Sequence, residues 1–308
     1  IKEAKIPKNM KYALISPLYK KGEKILFINY RPVSLLPVIS KILEKCIFNR
    51  IYKFLEDNKI LNPSQYGYRL KHSTQDAGLE LLKEILEGKE NNKFTMAIFC
   101  DMSKAFDTVN HNHVLKKLEH YGIRGHSQEW IKNYLSDRTQ SVKFKNTISD
   151  KYNITDGTPQ GSVLGPLLFL CIMNDIQNSM LHGKCLCFVD DTTIYYQHEN
   201  IEDLYANMKI DIKNITEWMK ANKLFFNISK TKYILFKLQS RQNIVYQDIM
   251  INNEKIERVE NMKFLGIIFD ECLNWHAHHD ELLRKIRQSK FIFRQCKYLD
   301  SFSKYKLY

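Results

Sequence analysis

The chain has no run of about 18 uncharged apolar residues, which leaves no segment able to span a membrane as a helix. Its first residues, Ile1-Lys2-Glu3-Ala4-Lys5, lack the apolar core of a signal peptide, and no initiator Met is present. With the abrupt stop at Tyr308, this reads as a piece of a larger polypeptide or an incompletely read gene. None of the seven Cys falls in a Cys-x-x-Cys pair. An odd count without framework spacing argues against a disulfide scaffold and for a reducing, intracellular compartment. Cys100, Cys171, Cys185 and Cys187 sit in apolar runs and read as buried free thiols. His276, His278 and His279 have no Cys partner at zinc-finger spacing and read as the start of a solvated helix. No internal repeat and no low-complexity tract is found.

What is present is a basic chain of 308 residues, long enough for two or three subdomains around a substantial core. The 47 Lys and Arg outnumber the 34 Asp and Glu, for a net charge of +13. The cations are spread along the chain rather than gathered in a tail, as suits a surface that follows a polyanion such as nucleic acid.

Tyr12-Ala13-Leu14-Ile15 reads as a strand, followed by a basic turn at Tyr19-Lys20-Lys21-Gly22. Ser40 is expected to cap a helix with Ile42, Leu43, Cys46, Ile47, Ile51, Phe54 and Leu55 on its apolar face. Asn62-Pro63-Ser64 ends that pattern, and Ser73-Thr74-Gln75-Asp76 opens a second helix reaching about Gly88. Phe94 to Cys100 is a strand-like run ending at Asp101. Val109 to Tyr121 and Gln128 to Leu135 have helical periodicity, and Ser141 to Phe144 with Lys151 to Thr155 form a hairpin pair. Val163 to Met173 is a buried helix, and Ile201 to Asn222 an amphipathic one. Strands are expected at Leu224 to Phe226, Tyr233 to Phe236, Ile244 to Ile251 and Phe264 to Phe269, then a basic helix from Glu281 to Tyr298. The order implies an α+β plan, a small antiparallel sheet covered on one face by helices.

Phe188-Val189-Asp190-Asp191 lies between two apolar runs and reads as a tight β-hairpin with both aspartates at its tip. By itself such a pair is only a good turn. Asp101 also ends an apolar strand, and two neighbouring strands ending at one sheet edge would bring it beside Asp190 and Asp191. Three close carboxylates need a cation, and Mg²⁺ accepts such oxygen ligands while leaving positions for water and phosphate. Two such ions on a basic protein suggest nucleotidyl transfer or nucleic-acid hydrolysis. Phe106, five residues past Asp101, either packs beneath a sugar and excludes a 2′-hydroxyl or is an ordinary core ring. Gly157 to Gly161 precedes the buried helix, where backbone can approach a ligand and Gln160 could bind sugar or phosphate; the plain alternative is a helix-starting turn. Lys20, Arg31 and Arg69 lie in basic loops that could grip a triphosphate.

Five stretches in order resemble the reverse transcriptase domain of non-LTR (LINE-type) retrotransposons, in the style of the jockey-like elements. They are Asn29 to Leu36, Gln65-Tyr66-Gly67-Tyr68-Arg69, Asp101 to Asp107, Gly157 to Pro166 and Phe188-Val189-Asp190-Asp191. Lys230-Thr231 and Phe264-Leu265-Gly266 resemble two later motifs. The resemblance covers nearly the whole chain and implies a right-hand polymerase fold: fingers over residues 1–92, a palm over 93–270 with a helical fingers segment near 110–156, and the start of a truncated thumb over 271–308. It implies RNA-directed DNA polymerase activity on an RNA template with a DNA primer or target and dNTPs. Two Mg²⁺ ions, or Mn²⁺ in their place, would be held by Asp101, Asp190, Asp191 and the backbone carbonyl of Met102. Phe106 matches the sugar-discriminating aromatic, and Gln160 and Gly161 match the nucleotide-site lining. Arg69 and Lys20 resemble triphosphate contacts, and Lys230 the lysine that protonates pyrophosphate. Val189 departs from the Ala of many relatives; Val is also small and apolar. An upstream endonuclease domain is expected beyond this chain, as is a ribonucleoprotein of nucleus and cytoplasm, although no address signal appears. Rival readings are a maturase-like or telomerase-like polymerase, an RNA-templated RNA polymerase, and an inactive nucleic-acid-binding remnant of a decayed element.

Overall fold

The structure is a computed structural model that describes residues 3–103, 105–237 and 245–295, with the last five as helix course alone. In chain order, β1 (Tyr12–Tyr19) and β2 (Tyr30–Leu35) precede the helices α1 (Val38–Asp57) and α2 (Thr74–Glu90). Strand β3 (Phe94–Cys100) leads to α3 (His111–His120), α4 (Gly125–Leu135) and the strands β4 (Arg138–Phe144), β5 (Thr147–Ile148) and β6 (Tyr152–Ile154). Then come α5 (Leu164–Met173), β7 (Lys184–Phe188), β8 (Asp191–His198), α6 (Ile201–Ala221) and β9 (Lys232–Phe236). Short strands β10 (Met250–Ile251), β11 (Glu254–Lys255), β12 (Glu257–Arg258), β13 (Asn261–Phe264) and β14 (Ile267–Asp270) precede α7 (His276–Gln295). Among the described residues no helix is long and apolar enough to cross a membrane.

The central sheet has the order β12-β9-β3-β8-β7. Every residue of β3 is buried, because the run Phe94 to Cys100 has no polar alternation and must be covered on both faces. Met96, Ile98 and Cys100 enter one core with α1, α3, α4, α5 and α6. Ala97 and Phe99 enter a second with Ala77, Leu81 and Ile85 of α2 and with Phe264 and Phe269 of the β13–β14 hairpin. The expected one-sided sheet is therefore a sheet between two layers. A second sheet joins β2, β1, β4 and β5, with β6 on β4; β1 and β4 run parallel, pairing Tyr12 with Thr139 and Ile15 with Val142. Residues 138–154 thus belong with the N-terminal strands.

Local differences have local causes. Helix α1 begins at Val38, after Pro37, so Ser40 lies inside it rather than capping it. The Ser40 hydroxyl is instead within hydrogen-bond distance of the Met10 carbonyl (3.3 Å) and of Glu44 (3.2 Å). Ser73 caps α2 in a reciprocal box with Asp76. Leu224 to Phe226 forms no strand, only a bridge between Phe226 and Met102. Of the expected strand from 244 to 251, residue 244 lies outside the described residues and only Met250–Ile251 pairs. Phe264 to Phe269 is broken by Leu265 and Gly266, both at positive φ (48° and 97°), the signature of a two-residue hairpin turn. The last helix starts at His276, and its expected end at 298 lies outside the described residues.

Helix α5 is almost wholly buried, so its first N–H groups need partners inside the protein. Glu44, 1% exposed, supplies two of them from α1: its Oε2 accepts from Val163 N (2.7 Å) and Leu164 N (3.2 Å). Gly165 N donates to Ser162 Oγ at 3.0 Å, and Pro166 has no N–H to satisfy. Glu44→Ala should lower unfolding stability by about 2–3 kcal/mol in a denaturant titration, since two buried donors lose a charged acceptor, and Glu44→Gln should recover part of that.

Candidate active site

Strands β3 and β8 are antiparallel neighbours that pair Cys100 with Thr192. The next residue on β3 and the previous one on β8 are Asp101 and Asp191, so two carboxylates leave one sheet edge side by side. Asp190 sits in the turn before β8. Strands β7 and β8 pair Phe188 with Asp191, which makes Val189 and Asp190 the two turn residues. The tip is therefore one residue earlier than expected, and Asp191 already belongs to the strand. Burial raises the Asp191 carboxyl to about 6, with the charges of Asp190 and then Asp101 adding to the rise. Its side chain reaches solvent, yet it still feels the charges of both other aspartates.

Val189 adopts φ 64°, a conformation that suits glycine and is strained for a β-branched residue. The segment Gln65 to Gly67 holds it there. Tyr66 N donates to Cys187 O and Cys187 N to Ser64 O, each at 2.8 Å, so this segment runs along β7 like a short extra strand. The buried Gln65 accepts from Val189 N (3.3 Å) and Gly67 N (3.2 Å) through Oε1. A Cβ on Gly67 would lie 2.5 Å from Val189 Cγ2 and 2.6 Å from Val189 N, so only glycine lets the two chains meet. The bracing by Gln65 and Gly67 was absent from the sequence expectations. Its one signal is the Gln-Tyr-Gly motif itself.

Lys230 Nζ stands 3.3 Å from Asp101 Oδ2. The turn carrying it grips Asp101 by the backbone: Asn227 N donates to Asp101 O (2.8 Å), and Asp101 N to the buried Thr231 Oγ1 (3.3 Å). Met102 is buried beside it and bridges to Phe226. Phe106 is half-buried, its ring 4.9 Å from that of Phe169. Gln160 donates through Nε2 to Asp107 Oδ1 (2.9 Å), and its carbonyl accepts from Ser34 N (2.8 Å). Gly161 takes φ 112° where a Cβ would press on Ser34 O at 3.1 Å.

The basic residues divide. Arg69, expected at a triphosphate, has its fork on Glu56 (2.9 and 2.8 Å) and its Nη1 on the Asn62 and Gln65 carbonyls. The Arg69 guanidinium holds the Glu56 carboxyl below its ordinary range. Arg69 thus ties the bracing loop to α1. Lys20 is exposed in the β1–β2 connection. Arg31, on β2, shares a neighbour with Asp190: Tyr68, whose hydroxyl burial makes harder to ionise, feels the charges of both.

Among the described residues no three Asp, Glu, His or Cys side chains stand close enough to hold a metal ion as they are, and Asp101 is engaged by Lys230. The donor chemistry nonetheless suits a hard divalent cation: carboxylate oxygens converge on one sheet edge, Asp191 feels the charges of the other two, and a cation, Lys230, is already drawn to Asp101. Because the folded-state value of Asp191 lies above its ordinary 3.8, its contribution to stability is present in acid and lost as pH rises through about 6. In metal-free buffer, Asp191→Asn should therefore melt roughly 2–4 °C above the parent chain at pH 7, the shift of about 1 kcal/mol after solvent screening, with the gap closing near pH 4.

The family model for reverse transcriptase (RNA-dependent DNA polymerase) matches residues 18–269. The probable RNA-directed DNA polymerase from transposon X-element of Drosophila melanogaster is 28% identical over 91% of this chain and 31% of its own length. The RNA-directed DNA polymerase from mobile element jockey of Drosophila funebris is 28% identical over the same shares. The chain thus spans about a third of these curated relatives. Among solved structures, apo telomerase from Candida tropicalis truncated from its C-terminal domain aligns with a TM-score of 0.59 at 16% identity, covering 87% of this chain and 55% of that one. Telomerase from the same organism in complex with the TWJ fragment of telomeric RNA gives 0.57 at 12% identity, over 88% and 46%. These likenesses show a right-hand polymerase fold, and with the family match over most of its length, the chain belongs to the reverse transcriptase family.

Proposed function

We propose that the chain is the polymerase portion of a non-LTR retrotransposon protein and performs RNA-directed DNA synthesis. The observation that carries this reading is the convergence of Asp101, Asp190 and Asp191 at one edge of the central sheet, where Asp191 feels the charges of the other two. Asp101, Asp190, Asp191 and the Met102 carbonyl would hold the metal. When bound, two Mg²⁺ ions (or Mn²⁺) would activate the primer 3′-hydroxyl and steady the leaving oxygen of an in-line displacement at the dNTP α-phosphate. Lys230 is already beside Asp101 and is assigned to donate a proton to the departing pyrophosphate.

In this reading Phe106 lies under the sugar, its ring backed by Phe169 so that it cannot retreat from a 2′-hydroxyl. Gln160 and Gly161 line the nucleotide site, clasped to β2 through Ser34. Arg31 and Lys20 are assigned to the triphosphate, and Arg69 supports the site through Glu56 and the bracing loop. Fingers over 1–92 with the segment near 110–156 fit the sheet in which β4 and β6 join β1 and β2. The palm is 93–270, and the thumb begins after 270. The partners are an RNA template, a DNA primer or target, dNTPs, and an endonuclease domain of the same polyprotein, in a ribonucleoprotein of nucleus and cytoplasm. The telomerase-like alternative is matched by the solved structures at the level of fold alone.

Asp190→Asn should reduce Mg²⁺-dependent dTTP incorporation on poly(A)–oligo(dT) to background; retained activity would remove the metal assignment. Phe106→Ala should lower the dNTP-over-rNTP ratio of kcat/KM by at least about tenfold, roughly 1.4 kcal/mol of discrimination, read in single-nucleotide extension with melting as the check on folding.

A further inference from the structure

Two turns meet beside the proposed nucleotide site, and they are joined along their length. Thr158 N donates to Phe106 O (2.9 Å) and Gly157 N to Val109 O (2.7 Å). Asn110 Nδ2 donates to Asp156 Oδ1 and His111 Nε2 meets Gly157 O, each at 2.8 Å. Gly157, at φ 84°, leaves no room for a Cβ, which would lie 2.7 Å from Asp107 O. The Asp107–Gln160 contact is different in kind: it links two side chains, at 2.9 Å, on the rim of a cleft of about 310 Å³ that opens between this turn and the β1–β2–β4 sheet.

We propose that Asp107 is a positioning residue that fixes the amide of Gln160 for the incoming nucleotide; this rests on the polymerase reading above. An ionised carboxylate only accepts hydrogen bonds, so the NH₂ end of the amide must face it. The carbonyl oxygen Oε1 is thereby held on the other side and cannot exchange places with the nitrogen. Because backbone bonds join the two turns regardless, removing the Asp107 carboxylate frees the amide without separating Phe106 from the turn that carries Gln160. Phe106 and Gln160 thus approach a nucleotide as one unit, and Asp107 decides which atoms the second of them presents.

The test is a mutant cycle: Asp107→Ala, Gln160→Ala and the double variant, with Asp107→Asn as the conservative change. For each, kcat and KM for dTTP are measured on poly(A)–oligo(dT), with thermal melting alongside. Asp107→Ala should raise KM about five- to tenfold with kcat within about twofold, the worth of one charge-assisted hydrogen bond. Asp107→Asn, which keeps an acceptor oxygen, should lie nearer the parent chain. In the Gln160→Ala background Asp107→Ala should add less than about twofold. An unchanged KM, or the same rise in both backgrounds, overturns the proposal. The Gln160 side-chain amide resonances, identified by their loss in Gln160→Ala, give a readout free of activity. They should move in Asp107→Ala, and resonances that stay in place also overturn it. A wild-type chain that incorporates no nucleotide strikes the polymerase reading alone, since these resonances still decide the pinning.

Discussion

Like charges gathered at the end of a sheet push apart, and much of the surrounding structure resists that push. Asp101, Asp190 and Asp191 come from two strands whose cores are sealed on both faces. β3 has no exposed residue along its length, so Asp101 cannot retreat without dragging a buried strand. Burial first, and then the charges of Asp190 and Asp101, make the Asp191 carboxyl hold its proton more tightly than an ordinary aspartate.

Charged side chains tie segments together here, two of them largely buried and one at the surface. Glu44 reaches from one helix to cap another, Arg69 fastens the bracing loop to α1 through Glu56, and Lys230 sits against Asp101. The Glu44 and Lys230 ties run between segments more than a hundred residues apart, while the Arg69–Glu56 tie is closer along the chain. Burial makes the first two sensitive to loss of a partner, because a stranded charge or donor costs more than the bond itself contributes.

The parts of the fold legible in sequence are those written in local pattern. The unbroken apolar run of β3, the wholly apolar α5, the capping box at Ser73 and the amphipathic α6 all lie where periodicity places them. The candidate aspartates were legible because each ends or follows an apolar run, and the ordered motifs supplied the polymerase context. What was not legible depends on partners distant along the chain. Ser40 has the chemistry of a helix cap, but Pro37 lets α1 start earlier. Arg69 looks like a free basic side chain until Glu56 is brought to it by the fold. The second cover on the sheet comes from a hairpin some 160 residues beyond β3, and no window of residues around Phe94 could announce it.

One more consequence follows from the turn at Val189. Its Cγ2 and backbone nitrogen occupy the space that a side chain at position 67 would need. Volume is therefore shared between positions 67 and 189, although they lie more than a hundred residues apart. A smaller residue at 189 would remove the side-chain part of that conflict but not the backbone part, so residue 67 stays glycine unless the turn itself shifts. A glycine at 189 would relax the backbone, while the loop would keep its backbone bonds to Cys187 of β7. The sharpness of the β7–β8 turn is thus a joint property of two motifs that meet without room for a side chain at 67.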